Sequence, residues 1–136
     1  MYAQGIKFIE GFEDFFKQVQ LLNLKTGIAT NADDSSLAIS IKTLKLDSFF
    51  GKHIYNISYV NNVCKPSPDI YLYAAAQLGI KPEECLAIED SAHGIEAAKR
   101  VGMFCIGLNS SKNYQQVKAS DLVVDTYSQL DLASLI

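Results

Sequence analysis

The chain contains three pairs of residues whose side chains are suited to binding a phosphate group or its metal ion. Each pair follows or precedes an apolar segment. The pairs are Thr30 with Asn31, Lys65 with Pro66, and Glu89 with Asp90. Hydroxyl and amide groups donate hydrogen bonds to phosphate oxygens, a lysine supplies a compact positive charge, and carboxylates hold Mg²⁺ through hard oxygen ligands. Together these groups make most of a phosphoryl-transfer site, in which positioning and charge neutralisation provide the catalysis.

Each pair taken alone also has a plain structural interpretation. Thr30 and Asn31 are typical of a strand that runs into a turn, and Lys65 before a proline is typical of a solvated loop. Glu89 and Asp90 stand where a strand meets a helix, and aspartate is a good N-cap residue. A helix cap and a ligand site are therefore both open interpretations of the acidic pair.

The segments around these pairs alternate between strand and helix patterns. Apolar residues at offsets of three and four predict helices, the first of them after Gly11. Short apolar runs predict strands, and they lack the strict polar alternation of strands with one solvated face. These runs are TGIATN, HIYNIS, CLAIE, FCIGL and DLVVD. We therefore expect an α/β fold with a parallel sheet of about five strands, whose loops meet at one rim.

Composition favours a single domain with small-molecule chemistry. The 136 residues are 49% hydrophobic and 20% charged, with a net charge of -3, and the basic residues are scattered. This pattern argues against a nucleic-acid or membrane-surface partner. The start of the chain shows no leader pattern and the apolar runs are too short to span a membrane, so we expect a cytoplasmic protein. The three cysteines, Cys64, Cys85 and Cys105, are predicted to be reduced thiols.

Three longer motifs resemble those of the haloacid dehalogenase superfamily, in the same order along the chain. They are GIATNAD, KPSPDIYLYAAAQLG and LAIEDSAHGIEAAKRVGM. The likeness runs from about Ile9 to the C-terminus and is greatest to the phosphatase and beta-phosphoglucomutase branch. It implies a three-layer Rossmann-like core and a Mg²⁺-dependent phosphomonoester phosphatase or phosphosugar mutase. The implied substrate is a small phosphorylated metabolite.

The resemblance also implies roles for individual residues. It assigns phosphate binding to Thr30, Asn31, the backbone of Ala32, and Lys65. Within this set Thr30 would hold the transferring phosphoryl group, and Lys65 would bridge the phosphate and the nucleophile, so that Thr30, Asn31 and Lys65 form the catalytic set. Asp90 would be the acidic Mg²⁺ ligand, supported by Glu89.

The sequence departs from the family at its beginning. Family members open with a strand that ends in DxDx[TV], which carries the aspartate nucleophile and the general acid and base, and a cap domain usually follows. The 136 residues contain no such motif, and IKFIEGFEDFF resembles the return from the cap to the core. We therefore expect residues 1–136 to form one incomplete, truncated core domain without a cap, which binds Mg²⁺ weakly and is inactive alone.

The missing strand would lie between the strands that end at Thr30 and at Glu89. Those two strands could pair directly, a second copy could fill the gap in a homodimer, or an N-terminal fragment could complement the chain. Two other functions stay open: a non-catalytic relic that binds a phosphate ligand or a protein, and a phospho-receiver domain. In a receiver the acidic residues precede the threonine and lysine, whereas here they come last. Substrate identity stays open because the cap largely sets specificity in the family.

Overall fold

A computed structural model describes residues 10–135 as alternating helices and parallel strands. The strands are β1 (Ile28–Thr30), β2 (Ile54–Asn56), β3 (Leu86–Glu89), β4 (Phe104–Leu108) and β5 (Leu122–Val124). The helices are α1 (Phe12–Leu21), α2 (Asp34–Leu44), α3 (Leu46–Phe50), α4 (Asp69–Leu78), α5 (Ala92–Arg100), α6 (Tyr114–Val117) and α7 (Leu132–Leu135). Each of the five predicted strands is present, and the predicted α/β class is confirmed.

The strands form two separate parallel sheets. One sheet has the order β1-β2, and the other has the order β3-β4-β5. Within the described residues β1 and β3 do not pair with each other, so the direct pairing considered above does not occur. The division falls where the family resemblance places the missing strand.

Helices cover the strands on two faces, as expected of a three-layer core. On one face α4, α5 and α6 bury a cluster that includes Ile70, Ile95 and Cys105. On the other face α1, α3 and α7 pack against Ile106 and Leu108 of β4. Because successive side chains of a strand point to opposite faces, Cys105 and Ile106 lie in different clusters. This arrangement explains why the strands read as continuous apolar runs.

Helix α1 buries the side that carries its regularly spaced apolar residues, as the sequence predicts. Its inner residues, Phe12, Phe15, Phe16 and Val19, are each less than a tenth exposed. They recur at intervals of three and four residues, which places them on one side of a helix. At the other end of the chain Leu132 of α7 is buried in the same cluster. The last apolar segment therefore docks as a short helix against the core.

The thiols are unpaired, as predicted, and they differ in environment. Cys64 is exposed, Cys85 is partly buried, and Cys105 is buried in the core. Burial, together with the nearby Glu89 carboxylate, raises the pKa of Cys105 to about 12. Cys105 is therefore a packing residue that stays protonated at neutral pH. Among the described residues no helix is both long and apolar enough to cross a membrane.

Asp121 links the beginning of β5 to α5 and β4. Its carboxylate accepts hydrogen bonds from Lys99 Nζ at 2.7 Å and from the backbone N–H of Cys105 at 2.8 Å. The hydrogen bond from Lys99, followed by that from Cys105, lowers the pKa of Asp121 below its ordinary value of 3.8. A carboxylate with a lowered pKa stabilises the folded state above the unfolded pKa and loses that contribution as pH falls through the folded value.

We expect Asp121→Asn to lower the free energy of unfolding by about 1–2 kcal/mol at pH 7, because two charge-assisted hydrogen bonds are weakened. The difference between the variant and the parent chain should shrink as the pH falls below the ordinary value of 3.8 and through the lowered pKa of Asp121 in the folded state. Urea unfolding at a series of pH values measures this difference in the free energy of unfolding. The exposed Asp125→Asn is the control and should stay within about 0.5 kcal/mol of the parent. A pH-independent loss in Asp121→Asn would contradict the ionic explanation.

Candidate phosphate-binding site

Three loops bring the predicted site residues together at the carboxyl ends of β1 and β3. Lys65, in the loop before α4, is the centre of the contacts. Its Nζ donates to the backbone oxygen of Ala29 at 2.8 Å and to Glu89 Oε2 at 2.6 Å. Its backbone N–H donates to Asn31 Oδ1 at 2.9 Å. The structure thus joins residues of all three predicted motifs through one lysine.

The ion pair between Lys65 and Glu89 is almost fully removed from water. Each side chain is 9% exposed. Tyr71 of α4 donates its hydroxyl to Glu89 Oε2, and its ring faces Lys65 Nζ with 4.9 Å between the nitrogen and the ring centre. Burial, followed by the Glu89 charge, raises the pKa of Tyr71 well above its usual value. Tyr71 therefore stays a neutral donor, and it compensates part of the cost of burying the carboxylate.

The loop after β1 presents its polar groups at the rim. Thr30 is partly buried at the end of the strand, and its Oγ1 accepts a hydrogen bond from the backbone N–H of Ala32 at 3.1 Å. Its hydroxyl hydrogen can therefore be donated to another group. Asn31 is exposed, with its amide oxygen bound to the Lys65 backbone. The first contact lies within the loop after β1, and the second ties that loop to the loop that carries Lys65.

The acidic pair after β3 is split between interior and surface. Glu89 is buried at 8% exposure, whereas Asp90 is exposed. Asp90 borders a small cavity of about 220 Å³ beside Leu108 and Tyr127. The N-cap of α5 is Ser91, whose Oγ accepts from the backbone N–H of Gly94 at 3.2 Å. The interpretation of Asp90 as the helix cap is therefore wrong, because Ser91 occupies that position.

The fit of a Mg²⁺ ion to these residues is partial. Magnesium takes oxygen ligands in octahedral geometry and binds through one or two carboxylates plus water and phosphate. Asp90 offers an exposed carboxylate at the rim, but Glu89 already accepts from Lys65 and Tyr71. Within residues 10–135 no three acidic, histidine or cysteine side chains lie together as a metal-binding group. Asp90 can thus be one ligand, and further oxygen ligands must come from elsewhere.

Two residues of the site were not identified in the sequence. Tyr71 looked like an apolar helix position, although a buried tyrosine needs a partner for its hydroxyl. Gly94 lies inside α5, where a Cβ atom would overlap the Glu89 carboxylate. Glycine within a helix is a signal of close approach by a neighbouring group. That signal was available at Gly94, whereas nothing in the sequence links Tyr71 to Glu89.

Comparison with known proteins identifies relatives that match between half and nearly all of this chain. Residues 2–102 match the family model of the haloacid dehalogenase-like hydrolases. The protein YhcW of Bacillus subtilis is 35% identical over 127 residues, which are 93% of this chain and 57% of the relative. The beta-phosphoglucomutase of the same organism is 46% identical over 71 residues, which are 52% of this chain and 30% of the relative.

Solved structures agree with the sequence relatives. A haloacid dehalogenase family hydrolase from Deinococcus radiodurans, described with bound phosphate and sodium, superposes with a TM-score of 0.83 at 28% identity. The match covers 97% of this chain and 61% of that protein. The chain therefore spans less than two thirds of the length of YhcW and of this hydrolase. The predicted resemblance is confirmed: the chain belongs to the haloacid dehalogenase-like hydrolase family.

Proposed function

We propose that this chain forms the phosphate-binding part of a phosphohydrolase core that acts on small phosphate monoesters, of the phosphatase or phosphosugar mutase type. The convergence of three separate loops on Lys65 is the observation that carries the proposal. Nζ of this lysine lies between the backbone of β1 and the carboxylate at the end of β3. The relatives, which include a beta-phosphoglucomutase and a phosphoglycolate phosphatase, support the same substrate class.

The proposed roles follow from the contacts at the rim. Thr30 donates its hydroxyl hydrogen to a phosphate oxygen, because its oxygen is already held by the Ala32 N–H. The Asn31 amide and the Ala32 backbone lie beside it in the same loop. Lys65 supplies positive charge where the loops meet. A bound phosphate would compete with Glu89 for the Lys65 ammonium, so binding weakens that ion pair.

Electrostatics explain why a divalent cation would be needed. Among the residues described at this rim, the two carboxylates of Glu89 and Asp90 outnumber the ammonium of Lys65, so these groups alone repel a phosphate dianion. Asp90, which is exposed and adjacent to Glu89, would be a ligand of Mg²⁺. Bound there, the ion would neutralise phosphate charge. Because one exposed carboxylate makes a poor Mg²⁺ site, binding to the chain alone should be weak.

Turnover requires a nucleophile that these 136 residues do not supply in a DxDx[TV] motif. We therefore expect the chain alone to hydrolyse p-nitrophenyl phosphate no faster than its Asp90→Asn variant at any Mg²⁺ concentration. Mg²⁺-dependent turnover that is lost in Asp90→Asn would show that the chain carries its own nucleophile. It would contradict the part of the proposal that makes the chain incomplete.

Phosphate binding can be tested without turnover. In ¹⁵N-labelled protein, inorganic phosphate with Mg²⁺ should shift the backbone amide signals of Thr30, Asn31, Ala32 and Lys65. Thr30→Val removes the hydroxyl at nearly constant shape and should weaken binding about tenfold, since a lost hydrogen bond to a charged group costs about 1.5 kcal/mol. Thr43→Val in α2 is the matched control and should bind like the parent. Shifts spread over the surface, or equal binding by both variants, would overturn the proposed site.

A further inference from the structure

Asn56, the last residue of β2, is a buried polar residue outside the contacts described so far. It is 1% exposed, which is less than the buried Glu89 at 8%. An amide removed from water costs free energy unless its donor and its acceptor both have partners. The partners of this amide therefore show which parts of the chain its burial holds together.

The Asn56 amide joins two segments of the chain. Its Nδ2 donates to Asp34 Oδ1 at 2.6 Å. Its Oδ1 accepts from the hydroxyl of Ser58 at 2.6 Å and from the backbone N–H of the same residue at 3.3 Å. A carboxylate can only accept and a backbone N–H can only donate, so the two partners fix the orientation of the amide.

Both segments lead directly to groups of the proposed phosphate site. Asp34 is the first residue of α2, and it follows the loop that contains Asn31 and Ala32. The other partner lies in the 3₁₀ turn Ile57–Val60, from which the chain continues to Lys65. The amide therefore connects the loop after β1 with the segment that carries the lysine.

A second side-chain contact joins the same two segments at the rim. Asn31 Oδ1 accepts from the backbone N–H of Lys65 at 2.9 Å, and within the sheet Thr30 of β1 lies in register with Asn56 of β2. Asn31 is exposed, so water competes for its hydrogen bond, whereas the hydrogen bonds of the buried Asn56 amide are shielded from water. Asn56 is therefore the stronger of the two side-chain connections.

We propose that Asn56 is a positioning residue of the phosphate site: by holding Asp34, it fixes the loop after β1 against the segment that carries Lys65. The inference rests on the proposed function, because the groups that it positions are the proposed phosphate ligands. Asn56 acts without contacting phosphate. A loop that is held in place before binding loses less conformational entropy when the anion binds, so the anchor raises phosphate affinity.

The charge of Asp34 allows positioning to be separated from electrostatics. On charge alone, removal of this carboxylate from the end of the loop would favour binding of an anion. On positioning alone, its removal would weaken binding, because Asn56 loses its acceptor and the loop loses its anchor. The two effects have opposite signs, so substitutions at Asp34 distinguish them.

Two substitutions at Asp34 form the central test. Inorganic phosphate with Mg²⁺ is added to the intact ¹⁵N-labelled chain, and affinity is measured from the shifts of the backbone amide signals. Both variants remove the charge, but only Asp34→Asn keeps an oxygen that can accept from Asn56. Asp34→Ala should weaken phosphate binding about fivefold, because a buried donor is left without a partner, whereas Asp34→Asn should bind at least as tightly as the parent chain.

A charge at another helix start provides the matched control. Asp47→Ala removes an exposed carboxylate from the first turn of α3 and should change phosphate affinity less than about twofold. Because Asp34 is exposed as well, its variants should fold, and the Tm of each variant without phosphate checks this.

Exchange of the two side chains provides a rescue experiment. Asn56→Asp removes the donor and places a carboxylate opposite that of Asp34, so it should weaken phosphate binding about tenfold or more. Adding Asp34→Asn to this variant restores one donor and one acceptor in the reverse direction, and affinity should return to within about threefold of the parent chain. If Asn56→Asp alone fails to fold, the exchanged pair and the two Asp34 variants decide the matter.

Hydrogen exchange without phosphate measures the anchoring itself. The amides of Ala32 and Lys65 donate to Thr30 Oγ1 and Asn31 Oδ1 in the two segments. In Asp34→Ala they should exchange about threefold faster than in the parent chain, because the loop opens more often. The amide of Ile106, in the other sheet, is the internal reference and should change little.

The outcomes separate this inference from the proposed function. If the parent chain does not bind phosphate, the proposed function is wrong, and faster exchange at Ala32 and Lys65 in Asp34→Ala still supports the anchor. Parent-like phosphate binding by Asp34→Ala would overturn the role of Asn56 and leave the phosphate site standing. Equal losses in Asp34→Ala and Asp34→Asn, or no rescue by the exchanged pair, would also overturn that role.

Discussion

Lys65→Met should lower the free energy of unfolding by about 3–5 kcal/mol, because it leaves the buried Glu89 carboxylate without its counter-ion. Methionine preserves the length of the side chain, so the loss is mainly electrostatic. The side chains of Lys65 and Glu89 are each 9% exposed, and Lys65 Nζ lies 2.6 Å from Glu89 Oε2. Urea unfolding followed by circular dichroism measures the change, with the slope of the transition checked for two-state behaviour.

A second substitution and a surface control separate the causes. Glu89→Gln removes the charge but keeps an acceptor for the Tyr71 hydroxyl, so the double variant Lys65→Met/Glu89→Gln should recover more than half of the loss. Lys17→Met breaks the exposed pair with Asp14, whose atoms lie 3.8 Å apart, and should cost no more than about 1 kcal/mol. Equal losses at the two lysines, or no recovery in the double variant, would refute the buried-pair explanation.

Gly94→Ala should destabilise the chain by roughly 1–3 kcal/mol, although alanine is the better helix former by about 1 kcal/mol. A Cβ atom at this position overlaps the carboxylate of Glu89, which is held in place by Lys65 and Tyr71. The carboxylate or the start of α5 must move, and either movement disturbs the buried ion pair. The measurement is again urea unfolding at neutral pH.

The overlap can be isolated by removing its partner. In a Glu89→Ala background the carboxylate is gone, so adding Gly94→Ala should be neutral or stabilising by up to about 1 kcal/mol. The two substitutions should therefore show strong coupling in a double-mutant cycle. A loss from Gly94→Ala of the same size in both backgrounds would show that the helix backbone, not the carboxylate, requires the glycine.

The elements of this fold could be predicted because they depend on local pattern. In α1 the apolar positions Phe12, Phe15, Phe16 and Val19 follow a helical period, and the strands are short apolar runs between turns. The position of Lys65 near Thr30 and Glu89 could also be expected, since loops after parallel strands share one rim. The family resemblance also placed a missing strand between β1 and β3. The division of the strands into two separate sheets at that position agrees with it.

The partners of the site residues could not be predicted in the same way. Lys65 and Glu89 are 24 residues apart, and Tyr71 and Glu89 are 18 apart, so no local period connects them. Both acids after β3 looked equivalent in the sequence, yet one is buried and the other is exposed. Their difference depends on which face of the strand end meets α4, and this is a property of packing.

The contacts of Lys65 with β1 and Glu89 affect which residues would be conserved in related chains that had lost activity. Because Lys65 links β1 to Glu89, a descendant that no longer handled phosphate would still need this lysine to fold. Asp90 is exposed, and its replacement should cost no more than about 0.5 kcal/mol in stability. Selection for folding therefore retains Lys65 but allows substitution at Asp90. Under the proposed function, substitution at Asp90 in related chains would mark lineages that no longer bind the metal ion, whereas retention of Lys65 would mark only those that still fold.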